Sequence, residues 1–188
     1  GGTTYNSPYD WLRDFLAACP DCRVDYIGIH FYMGAMESVK GSIDLLWEQF
    51  HKPVWLTEFN MDKNGMGDNG TADEQRAFMV KMIDWMERDE HVYRYAWFLG
   101  RGGIITDLVG SDKQSLTLLG KVYANMSSYD ANFYHSTGKR IEAEHYISMD
   151  NISLVESTDV DGALSVGYTA AGSKAAYQVD VPNAGQWD

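Results

Sequence analysis

The chain has 188 residues, with 15 Lys+Arg against 27 Asp+Glu and a formal net charge of -12 at pH 7. At 45% hydrophobic and 22% charged it can bury a core, which excludes wholesale disorder. The acid excess leaves no basic footprint for nucleic acid or an anionic membrane, and a neutral ligand suits it better. No apolar run approaches the ~20 residues of a membrane span. The chain opens Gly-Gly-Thr-Thr rather than with Met. The true N-terminus is therefore expected upstream, and the lack of a signal peptide says nothing about location. Aromatics are abundant: 6 Trp, 12 Tyr and 7 Phe make 13% of the chain. Such residues serve cores and interfaces, and they are also what a sugar cleft uses, because pyranose faces present C–H groups that pack on rings.

In chain order, Ser7-Pro8 reads as an N-cap with Pro at the first helical position. Trp11, Leu12, Phe15 and Leu16 follow as one apolar helix face. Cys19 and Cys22 form a C-x-x-C after that helix, not before one as a thioredoxin-like motif would. No second pair exists for zinc. A local disulfide and two free thiols both remain open. Val24–His30 is β-rich and predicts a buried strand. A helix carrying Val39, Ile43, Leu46, Trp47 and Phe50 comes next, then a strand over Val54–Phe59. After a polar loop from Asn60 to Gly70, Thr71 and Glu74 form a capping box for a helix with Phe78, Met82, Trp85 and Met86. Tyr93–Phe98 is a third strand, and a last helix is expected around Leu116–Met126.

Strand followed by helix three times indicates parallel βα units, an α/β fold. Three units fill residues 24–126, so eight would need roughly 270 residues, near the ~250 typical of a (β/α)8 TIM barrel. Residues 1–126 are therefore expected to be the C-terminal portion of such a barrel. Residues 127–138 read as a linker. From 139 to 188 short β-prone stretches recur at Ile141–Ile147, Ile152–Glu156, Leu164–Tyr168 and Ala175–Val181. These predict the first part of an all-β jelly-roll sandwich, with both ends of the chain cut.

Barrel active sites lie at the C-terminal ends of strands. His30 and Tyr32 end the first strand on one face, since strand side chains alternate. Glu58 ends the second, and Trp97 and Phe98 end the third. Singly, each has an ordinary reading as a satisfied polar tip, a salt-bridge partner or core. Their convergence on one rim is what points to a site.

The segments His30-Phe31-Tyr32, Trp55-Leu56-Thr57-Glu58-Phe59 and Arg94-Tyr95-Ala96-Trp97-Phe98 resemble the last three strands of retaining glycosidases. Together with Ala18–Ile27 and Leu116–Gly120, they are similar to the catalytic core of glycoside hydrolase family 128, endo-β-1,3-glucanases. The resemblance covers roughly residues 7–126. It implies that Glu58 is the nucleophile, that His30 and Tyr32 orient it and the sugar, and that Trp97 floors the cleft. The implied partner is a β-glucan polysaccharide, with no nucleic acid or membrane. The implied parent is a secreted monomer needing no cofactor for catalysis. Retaining hydrolysis needs a second carboxyl about 5–5.5 Å away, which the family supplies from an Asn-Glu-Pro type motif. No Asn-Glu pair occurs in these residues, so the chain alone is expected to be inactive. A glucan-binding scaffold, or hydrolysis of another β-linked polymer, is the alternative.

The tail resembles carbohydrate-binding module family 6 in Arg140–Tyr146, 162–168 and Tyr177–Gly185. By that resemblance Glu142 and Glu144, on one strand face, would be ligands of a structural calcium ion. Tyr168 would stack on a sugar.

Overall fold

The computed structural model describes residues 7–126, 134–143, 145–158 and 164–182. Its frame is a parallel sheet of β1 (Ile27–Tyr32), β2 (Val54–Asn60) and β3 (Val92–Trp97), in that order. Four helices accompany it: α1 (Pro8–Ala18), α2 (Met36–Phe50), α3 (Ala72–Met86) and α4 (Leu118–Asn125). Among the described residues no helix is long and apolar enough to cross a membrane.

Local chemistry starts the helices where the sequence signals them. Ser7 Oγ accepts from the Tyr9 amide ahead of α1. Thr71 and Glu74 close a reciprocal capping box on α3. Thr117 caps α4 by accepting from Gly120 N. A Cβ at Gly120 would lie 2.0 Å from the Leu108 carbonyl oxygen, so glycine is what lets α4 start against that loop.

One face of the sheet is sealed by helices. Val39, Ile43 and Leu46 of α2 and Phe78, Met79, Met82, Ile83 and Met86 of α3 are buried in one core with Ile27, Val54, Leu56 and Phe59. The other face is open at its lower end, where Tyr26 stacks on Tyr93 at 3.9 Å and Trp55 meets Tyr93 edge-on. Arg94 covers both Trp55 and Tyr93.

Some boundaries differ from expectation. The first strand starts at Ile27, not Val24; the Arg23 side chain there is turned outward onto Asp25. On α1 only part of the apolar face is covered: Trp11 and Phe15 stack on each other at 5.3 Å and remain exposed. Cys19 and Cys22 are joined in a disulfide.

The tail contains β4 (His135–Ser136), β5 (Ser148–Asp150), β6 (Ser153–Glu156), β7 (Leu164–Gly167), β8 (Lys174–Ala176) and β9 (Val179–Asp180). Among the described residues these pair only in twos: β4 with β9, β5 with β8 and β6 with β7. The strand expected over Ile141–Ile147 is absent from its described residues, which turn back through a bond from His145 N to Glu142 O. Tyr146, Leu154 and Leu164 join the core beneath α3 and α4. Arg88, just past α3, donates to the Ile147 carbonyl.

Candidate active site

The site is built on a miscount between two neighbouring strands. From Ile27 to Ile29, β1 runs in step with Val54 to Leu56, but His30 then partners Glu58. Thr57 is the extra residue of a β-bulge, and its hydroxyl donates to the Ile29 carbonyl at 3.1 Å. A bulge shifts the alternation of side chains and re-aims those beyond it. Trp55 and Glu58, an odd number apart, thereby share the face of Gly28, His30 and Tyr32.

On that face Tyr32 Oη donates to Glu58 Oε2. His30 Nδ1 stands 3.2 Å from the same oxygen. Among the described residues Oε1 has no hydrogen-bond partner, so one oxygen is held and the other is left for chemistry. The Glu58 side chain is 30% exposed and His30 54%, so the cluster faces solvent. Burial, and then the bond to the Glu58 carboxylate, push the Tyr32 phenol above the usual tyrosine range. It therefore remains a donor throughout neutral and moderately alkaline pH.

The third strand contributes differently from the sequence expectation. Trp97 is 7% exposed, packs edge-on against Phe59 at 5.1 Å and donates Nε1 to the Thr106 carbonyl. It belongs to the core behind the sheet, not to the floor of a cleft. The next residue, Phe98, sets its ring edge-on to Tyr32 at 5.8 Å. Asn60, buried at the end of β2, fixes Phe98 by donating Nδ2 to its carbonyl at 2.7 Å. Asn60 is the site residue that strand reading missed, and Phe98, read there as a strand end, takes the place on the rim expected for Trp97. The one sequence signal for Asn60 is position, two residues beyond Glu58.

The rim is bounded by the loop that leaves β2. Gln75, fully buried, donates Nε2 to the carbonyls of Met61 and Asn69 and accepts from Met61 N. Asp62 accepts from the amides of Asn64 and Gly67, and these backbone bonds, Gly67's foremost, hold its carboxyl below the usual range. Gly34 closes the far side: a Cβ there would lie 2.9 Å from Lys63 Cα, so only glycine lets the turn after β1 meet this loop.

The described tail residues do not join this cluster. Tyr168 is 66% exposed and lies under the Arg76 guanidinium of α3 at 5.8 Å. Glu142 sits in a turn, not on a strand, and its carboxylate is taken up by Arg140 through Nε at 2.7 Å and Nη2 at 3.0 Å. Glu144 lies outside the described residues. Calcium wants six to eight oxygens, and Glu142 as placed would bring it a carboxylate already paired with Arg140.

Glu58 is the only carboxylate on the three parallel strands. Glu37 and Glu48 lie on α2, Glu74 on α3 and Glu87 at its C-cap.

Residues 2–123, more than half of the chain, match the family model of the glycosyl hydrolase catalytic core. Alkali-sensitive linkage protein 1 of Schizosaccharomyces pombe is 29% identical over 119 residues, 61% of this chain and 22% of that protein. A family GH128 (subgroup II) endo-β-1,3-glucanase from Sorangium cellulosum superimposes with a TM-score of 0.58 at 34% identity, over 70% of this chain and 52% of that one. A GH128 (subgroup VII) oligosaccharide-binding protein from Cryptococcus neoformans gives 0.52 at 25% identity, over 62% and 45%. The chain thus spans about a fifth of the curated relative and about half of these solved structures. A strand-end glutamate held by a tyrosine and a histidine, on a parallel sheet matched along most of its length, places the chain in the glycosyl hydrolase catalytic core family.

Proposed function

We propose that the chain is the nucleophile-bearing part of a β-1,3-glucan hydrolase barrel, and that Glu58 is the nucleophile. The carrying observation is the asymmetry of its carboxylate, with Oε2 gripped by Tyr32 and His30 and Oε1 unpartnered among the described residues. In a retaining displacement Oε1 attacks the anomeric carbon as the glycosidic C–O bond breaks. The departing oxygen takes its proton from an acid supplied outside β1–β3, because Glu58 is their sole carboxylate. Water, giving a proton to that same outside group, then attacks the carbon, and Glu58 leaves as a carboxylate. Tyr32 and His30 keep Oε2 from rotating into the attack path, and Phe98 walls the sugar site beside Tyr32. On this reading residues 7–182 alone do not turn over substrate.

The β-1,3 linkage rests on likeness to the Sorangium cellulosum endo-β-1,3-glucanase. Secretion is proposed from the Cys19–Cys22 disulfide, since such bonds persist in oxidising compartments. For the tail we propose a sugar-binding module, with exposed Tyr168 as its stacking ring.

The test is the full-length protein on laminarin. First-formed products should retain the anomeric configuration by NMR, and a fluorosugar inactivator should add its mass to the peptide carrying Glu58. Inverted products, or a label elsewhere, would remove Glu58 from this role. A second reading, glucan binding without cleavage, is favoured by the likeness to the Cryptococcus neoformans oligosaccharide-binding protein. Saturable oligosaccharide binding with no release of reducing ends would select it.

A further inference from the structure

The end of the sheet opposite Glu58 carries a cluster that glycoside hydrolysis does not use. Asp44 comes from α2, Asp89 from the turn after α3, and His91 immediately precedes β3. His91 Nδ1 stands 3.6 Å from Asp44 Oδ1 and 3.7 Å from Asp89 Oδ1. One ligand atom from each of the three residues lies within 4.8 Å of the others.

These separations are too long for hydrogen bonds. They are close to the spacing of ligands around a tetrahedral zinc ion, about 3.3–3.6 Å for bonds of about 2.0–2.2 Å. His91 Nδ1 is shielded from solvent and has no hydrogen-bond partner. Although the His91 side chain is 22% exposed as a whole, this nitrogen faces both carboxylates, at a spacing that a cation between them would fill.

The surroundings hold the cluster in place. The His91 ring stacks on Trp47 at 4.5 Å, within 17° of parallel. Asp89 accepts from Trp85 Nε1 at 2.8 Å through Oδ2 and from His91 N at 2.9 Å through Oδ1. Outer contacts of this kind orient metal ligands. The Asp44 side chain, 44% exposed, leaves a way in for an ion.

We propose that Asp44, Asp89 and His91 bind a divalent cation of the zinc class. One imidazole nitrogen and two carboxylate oxygens suit such an ion, and they are too few oxygens for calcium. Three protein ligands leave a fourth position for water. The ion is structural: it ties α2 to the segment joining α3 and β3, at the end of the strands that serves stability.

The test uses full-length protein stripped with a chelator and then titrated with zinc chloride. Zinc should raise the melting temperature by several degrees at saturation, as a ligand of the native state does. Cobalt in its place should give the visible absorption of a four-coordinate site. Asp44→Asn, at a half-exposed position, should fold with an unchanged metal-free melting temperature and lose both responses. His91→Gln should lose them too. A wild-type protein that zinc does not stabilise, or a shift that both variants keep, overturns the site.

Discussion

Tyr32 and Glu58 stand on adjacent parallel strands, and the tyrosine hydroxyl donates to the carboxylate oxygen that His30 also approaches. A hydrogen bond to a charged group contributes about 1.5–3 kcal/mol. Tyr32→Phe in the full-length protein should therefore lower kcat about 10- to 100-fold with little change in KM. Glu58→Gln, which keeps shape but removes the nucleophile, should lower kcat by at least about 1,000-fold and leave laminarin binding intact. Near-normal turnover by Glu58→Gln would sink the assignment.

The adjacent aromatics Trp97 and Phe98 should separate cleanly on substitution. Trp97→Ala removes a buried ring and should cost about 3–5 kcal/mol of stability, read by urea unfolding. Phe98→Ala should leave the unfolding midpoint much less affected and weaken oligosaccharide binding, read by calorimetry. Equal destabilisation with unchanged binding would place both rings in the core.

Alkali should expose the buried phenols. Burial raises Tyr95 and Tyr146 above the usual tyrosine range, and the Glu87 carboxylate adds to the effect on Tyr95. A group whose native pKa is raised stabilises fully below its unfolded value and loses that contribution as pH rises through the native one. Melting temperature should hold to about pH 10 and then fall. Absorbance at the tyrosinate band should show these phenols ionising together with unfolding. Their titration in the still-folded protein would contradict the burial argument.

Gln75 clamps the loop at the rim with three bonds to backbone. Gln75→Ala leaves buried amide and carbonyl groups unpaired, at about 1–3 kcal/mol each. A loss of at least about 2 kcal/mol is expected, with faster hydrogen exchange at Met61 than at β2. Unchanged exchange there would mean the loop is held by other contacts.

At the foot of α3 the sign of the pH effect reverses. Lys63 foremost, with the Thr71 bonds behind it, pulls the Glu74 carboxyl down to about 2. Its contribution is present above the unfolded value of about 4.3 and is lost as pH falls toward 2. Lys63→Met should flatten the melting-temperature profile between pH 2 and 5, most visibly at low salt. A profile identical to wild type would show that solvent screens the pair completely.

Much of the frame was legible because local signals and periodicity agreed. Ser7-Pro8 and Thr71-x-x-Glu74 marked helix starts, and the spacing of Val39, Ile43 and Leu46 marked the face that is buried. Glu58 was legible as a polar residue ending an apolar strand. Trp97 was misread because a strand-end tryptophan next to a phenylalanine has two candidate faces, and register alone decides which ring goes inward. In the tail, short strands joined by turns carry little periodicity, so the turn at Glu142 was not separable from a strand.

The unpaired Thr57 has a consequence for how variation in this strand is interpreted. Substitution at 57 tests one hydroxyl, whereas loss of the residue itself would restore in-step pairing, with Glu58 directly after Leu56 and still opposite His30. Glu58 would then keep its place on the open face, and Phe59 would stay in the core. With the chain at its present length, the direction of the reactive carboxylate thus depends on Thr57 staying out of the ladder: were Thr57 to take His30 as its partner, Glu58 would turn to the helix-covered face and Phe59 to the open one.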